Sequence, residues 1–119
     1  MRPTLNQAIV YVSQMPRAVA FYHDVLGLPL LLETETWSEL LAGQVTLALH
    51  LTHRLTDAAE PPLPAGQVEL QFSVGDLDAA CAELRAQGIA VEGPRVMAGL
   101  DFPLATLRDP DGLSIILVP

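Results

Sequence analysis

The amino-acid sequence predicts an α+β fold made of two successive copies of a strand–helix–strand–strand–strand (βαβββ) module. Three observations predict it. Candidate elements recur in the same order in both halves, the candidate strands alternate between two chemically distinct faces, and a proline-rich stretch divides the halves. Module one covers about 5–54, a linker about 55–66 and module two about 67–119. Low identity between the halves puts the repeat in the order of elements rather than in the residues.

In the first half, residues 7–12 are rich in β-branched and aromatic types and read as a strand. Pro16 suits a first helical turn. Val19, Tyr22, Val25 and Leu26 recur at helical spacing, and Gly27 closes the helix in a left-handed conformation. Three extended segments follow, at 29–35, 37–42 and 45–52. The stretch 56–66 holds Pro61, Pro62 and Pro64, cannot continue a central strand and reads as linker. His53 and Arg54 lead into it and read as exposed.

The second half repeats the order. Residues 68–74 form a strand, Asp76 caps a helix, and Leu77, Ala80, Cys81 and Leu84 give its apolar stripe before Gly88 ends it. Extended segments are expected near 90–92, 102–108 and 113–118. Asp109-Pro110-Asp111-Gly112 joins the last two, with proline and glycine where a β-turn wants them. Cys81 reads as a packed thiol, His23 as a surface residue, and Asp109 and Asp111 as turn residues, since the rest of a calcium loop is missing.

Composition excludes several roles. Six arginines and no lysine oppose 14 acidic residues, a net charge of -8, so nucleic acid is not an expected partner. The acidic balance reads first as solubility, although it also attracts cationic ligands. A single cysteine rules out an intrachain disulfide. The first residues lack a signal-peptide core, and no apolar run is long enough to span a bilayer; the expected location is the cytoplasm, without membrane association.

Alternation sorts each strand. Leu47, Leu49 and Leu51 share one face, and Thr46, Ala48, His50 and Thr52 the other. Ala8, Val10 and Val12 oppose Gln7, Ile9 and Tyr11. Val68, Leu70, Phe72 and Val74 oppose Glu69, Gln71 and Ser73. Leu113, Ile115 and Leu117 oppose Ser114, Ile116 and Val118. One face thus suits packing under the helices. The other, carrying Gln7, His50 and Glu69, either meets solvent or lines a cavity.

Two segments carry a resemblance. Ala18-Val19-Ala20-Phe21-Tyr22-His23-Asp24-Val25-Leu26-Gly27-Leu28 resembles the first-helix signature of the vicinal-oxygen-chelate superfamily, which includes glyoxalase I, extradiol dioxygenases and bleomycin-resistance proteins. Leu107-Arg108-Asp109-Pro110-Asp111-Gly112-Leu113 resembles its last hairpin. The resemblance implies cupped mixed sheets around a small organic ligand, and a homodimer. In the metalloenzymes of this superfamily, each module supplies one ligand from its first strand and one from its last. Carried onto this chain, those positions fall on Gln7, His50, Glu69 and Ile116.

Gln7, His50 and Glu69 are able to bind a divalent ion such as nickel, zinc, manganese or iron. Ile116 is not, and a hydrocarbon moves no proton. Standard glyoxalase I chemistry is therefore not expected, nor an extradiol dioxygenase, which needs two histidines and a carboxylate. Two readings remain open. One is a metal-dependent lyase, isomerase or oxygenase using Gln7, His50 and Glu69. The other is a metal-free binder of the bleomycin-resistance type, in which these residues line a pocket with Tyr11, Trp37, Ala48, Gln71 and Ile116. Trp37, the only tryptophan, either stacks on a ligand or caps the core.

Overall fold

The computed structural model describes residues 1–2, 5–52 and 68–119. Chain contacts divide it into two compact units, Met1–Thr56 and Asp57–Pro119. The linker, His53 and Arg54 lie outside the described residues.

The first unit contains β1 (Gln7–Val12), α1 (Met15–Val19), β2 (Leu30–Glu33), β3 (Trp37–Ala42) and β4 (Val45–Leu51). Its sheet has the order β1-β4-β3-β2, with β1 parallel to β4 and the remaining pairs antiparallel. The second unit contains β5 (Leu70–Ser73), α2 (Leu77–Ala86), β6 (Glu92–Val96), β7 (Pro103–Arg108) and β8 (Ser114–Val118). Its order, β5-β8-β7-β6, repeats the first, again with one parallel pair.

α1 runs straight into a wider π-helical stretch, Ala20–Val25, where the Leu26 amide donates to the Phe21 carbonyl. Helical spacing did not predict this widening. The rings of Phe21 and Tyr22 meet edge to face at 5.1 Å, and both are buried. Gly27, at φ 79°, ends the helix in the left-handed region that favours glycine. In α2, the Asp76 carboxylate accepts from the Ala79 amide at 3.0 Å, capping the helix start.

The packing faces match the alternation. Val10, Val12, Leu47, Leu49 and Leu40 are buried in the first unit, where α1 lies on β3 and β4. Ile115, Leu117, Ala105 and Leu107 are buried in the second, together with Leu77, Cys81 and Leu84 of α2. The Asp109 carboxylate accepts from the amides of Asp111 and Leu113, so it is a turn residue.

β6 departs from the sequence expectation, falling at Glu92–Val96 rather than near 90–92. Gly93 and Pro94 are both poor strand formers, and this edge strand absorbs them in a register shift between Glu92 and Arg95. Gly93 is at φ 96°, and an added Cβ would lie 2.8 Å from the Leu104 carbonyl oxygen. β2 and β5 are also shorter than the apolar runs that signalled them.

Candidate functional site

The most developed chemistry lies on the face of the first sheet turned away from α1. Register sets three strands side by side in rows: Tyr11 opposite His50 opposite Trp37, then Ile9 opposite Ala48 opposite Glu39. The His50 ring stacks with Tyr11 at 5.3 Å and meets Trp37 edge to face at 5.3 Å. Three rings thus form one band across β1, β4 and β3. Tyr11 is 60% exposed, so the band is open to a ligand, while Trp37 and His50 are half-buried.

The turn before β3 positions Trp37. The Thr34 hydroxyl accepts from the Trp37 amide at 2.9 Å, and the Thr34 amide donates to the Trp37 carbonyl at 3.0 Å. A short polar side chain in a turn thereby fixes the backbone that carries the indole.

In the next row, Ala48 is the smallest residue on its face of β4. Above it, side chains of the flanking strands meet: Gln7 Nε2 donates to Glu39 Oε1 at 3.3 Å. Glu39 was not among the residues singled out from sequence. The signal was present, because alternation along 37–42 puts Trp37, Glu39 and Leu41 on one face. At the other end of the sheet, beyond the Tyr11–His50–Trp37 row, a separate cleft of about 620 Å³ opens at the start of α1, with Glu33, Thr34, Glu35 and Ser13 among its polar lining.

The expected metal trio is not assembled in the first unit. Gln7 pairs with Thr46 and His50 with Tyr11. They stand four residues apart on paired strands, about 13 Å at the strand rise. The rings of Tyr11 and Trp37 hold His50, and Glu39 engages Gln7. Glu69 belongs to the second unit, where it is exposed and accepts from Ser114 Oγ at 2.7 Å. Among the described residues, no three His, Cys, Asp or Glu side chains group to hold an ion.

The repeat also corrects the position read for β4. Ile116 lies opposite Gln71 and Thr106, just as Ala48 lies opposite Ile9 and Glu39. The first-unit counterpart of Ile116 is therefore Ala48, and the counterpart of His50 is Val118. If Ile116 marks the last-strand ligand position, as the resemblance implies, the level matching it in the first unit is Ala48, and both hold hydrocarbon. The donor set implied by the resemblance falls to Gln7 and Glu69, which does not fit a resident ion, so no chemical step is derived through one.

With the repeat, both sheets and the site described, comparison with known proteins settles the family. The family model of the "Glyoxalase/Bleomycin resistance protein/Dioxygenase superfamily" matches residues 4–117. The chain belongs to this superfamily. YaeR of Escherichia coli strain K12, a protein described as uncharacterized, is 33% identical over 105 residues, covering 82% of this chain and 81% of YaeR. The crystal structure of SMU.1112c superposes with a TM-score of 0.85 at 26% identity, covering 98% of each chain. TnmS3, an antibiotic binding protein from Streptomyces sp. CB03234, does so with a TM-score of 0.75 at 27% identity, covering 98% of this chain and 95% of TnmS3. No described helix of this superfamily member is long and apolar enough to cross a membrane.

Proposed function

We propose that this superfamily member binds a small aromatic molecule on the open face of its first sheet, and does so without a divalent ion. One observation carries the reading: the unbroken Tyr11–His50–Trp37 band, whose outermost ring is largely exposed. Aromatic pairs contribute roughly 0.5–1.5 kcal/mol beyond the area they bury, so a flat ligand on such a band gains from several rings together. The likeness to an antibiotic binding protein supports a binding role. Hydrocarbon at Ala48 and Ile116 favours it over the metal-dependent lyase, isomerase or dioxygenase reading.

Calorimetry tests both halves of the proposal. Acridine, an uncharged flat probe at pH 8, binds the wild-type chain and loses affinity in His50→Ala. Nickel, zinc, manganese and iron(II) give no heat of binding at the Gln7, His50 and Glu69 positions. A divalent ion whose affinity drops tenfold or more in His50→Ala would restore the metal reading.

A further inference from the structure

A carboxylate lies beside the ring band, and we infer from this geometry that the ligand of the first sheet is a flat aromatic cation. The inference rests on the binding reading above and adds a charge to it. Glu39 is two residues from Trp37 on β3 and therefore shares its face. It lies opposite Ala48, one row along from the Tyr11–His50–Trp37 band. It is half-buried, and its side chain meets the neutral amide of Gln7. A neutral donor satisfies one carboxylate oxygen, and among the described residues no cation is shown to compensate the negative charge.

The rest of that face strengthens the sign. Among the described strand residues, alternation places Gln7, Ile9 and Tyr11 there from β1, Thr46, Ala48 and His50 from β4, and Leu41 from β3. Leu32 of β2 lies opposite Glu39. No arginine is among them, and Glu39 is the only carboxylate. Arg17, on α1, donates to Ser13 Oγ at 3.1 Å.

Two attractions thus act on a flat cation in this place. The faces of Tyr11 and Trp37 present the negative side of the ring quadrupole, and Glu39 adds a full charge in a partly desolvated site. An anionic ligand meets the opposite of both. An uncharged ligand of the same shape gains the stacking alone.

The test compares two probes of nearly equal ring area at pH 8: N-methylacridinium, whose charge is fixed, and uncharged acridine. Calorimetry on the full chain is expected to show the cation binding about fivefold or more tighter. In Glu39→Gln, a near-isosteric change, that advantage falls below about twofold while acridine affinity holds. Raising the salt concentration in the wild type should likewise erode the cation's advantage without weakening acridine, because salt screens a partly exposed charge. Equal affinities in the wild type overturn the inference, as does an advantage that survives both Glu39→Gln and high salt. Absence of acridine binding removes the platform reading and this inference together, whereas acridine binding without charge preference removes the inference alone.

Discussion

The two sheets have one topology and two chemistries. On the face turned away from its helix, the first sheet carries the row Tyr11–His50–Trp37 and the row Ile9–Ala48–Glu39. The matching positions of the second sheet are Ser73 opposite Val118, and Gln71–Ile116–Thr106. The packing faces are alike, Val10, Leu47 and Leu49 in one and Ile115 and Leu117 in the other, all buried. The fold therefore constrains one face of each strand and leaves the other to diverge. Function lives in what the free face acquires, which is how one fold serves unrelated activities. Here the first sheet acquired three rings beside a carboxylate, and the second, which carries Glu69 and Arg108 at the level of Ser114, acquired no aromatic ring on that face among its described strand residues.

The largest expected effect tests the shared half of that comparison. Leu49→Ala and Leu117→Ala remove equivalent fully buried side chains, and each is expected to cost about 2–5 kcal/mol in chemical denaturation. A large loss in one and a negligible loss in the other would mean that the two packing faces are not equivalent.

A somewhat smaller effect probes the second sheet's free face. Ile116 is half-buried, opposite Gln71 and two residues along paired strands from the level of Glu69. Ile116→Glu puts a carboxylate there, disfavoured by partial burial and by the charge of Glu69. Both causes raise its folded-state pKa above the unfolded value. The destabilisation is then full at neutral pH, and it fades as pH falls through the raised pKa. Melting curves should show a loss of about 1–3 kcal/mol at pH 7, partly recovered near pH 5 and unaffected by added divalent metal. Stabilisation by metal would instead mean that the variant completes an ion site.

Binding variants sharpen the contrast between free faces. Trp37→Ala is expected to weaken acridine about tenfold, and Ile116→Ala to change it by less than about twofold. Equal losses would make the second sheet part of the platform.

The smallest effect concerns Ser38, whose hydroxyl is fully buried on the packing face without a hydrogen-bond partner. An unsatisfied buried hydroxyl costs stability, so Ser38→Ala should be neutral or raise stability by up to about 1 kcal/mol. A drop of more than 1 kcal/mol in thermal unfolding would mean that the hydroxyl is satisfied.

Much of this was legible in the sequence, and the limits have a physical cause. Element order, the packing faces, the cap at Asp76 and the turn at Asp109 follow from local rules that need no partner strand. Alternation with period two fixes the face of a residue but not its level, because a slip of two residues preserves every face. For that reason alternation sets His50 on the free face with Gln7 but does not reveal that it lies one row from Ala48, the residue level with Ile116 in the repeat. Only the pairing of Tyr11 with His50 and of Ile9 with Ala48 fixes the rows. Alternation alone puts Glu39 on the face of Trp37 and Leu41, but only the register with Ala48 and the contact with Gln7 single it out. The π-helical turn and the register shift at Gly93 depend on packing partners distant in sequence, which local pattern does not contain.

The central claim, that ligand binding belongs to the free face of the first sheet, is tested most directly by mapping backbone amide chemical shifts during an acridine titration. The largest shifts are expected at Tyr11, Trp37 and His50, with smaller ones at Ile9 and Glu39 in the adjoining row. Largest shifts at Gln71, Thr106 and Ile116, with the first sheet unmoved, would contradict it.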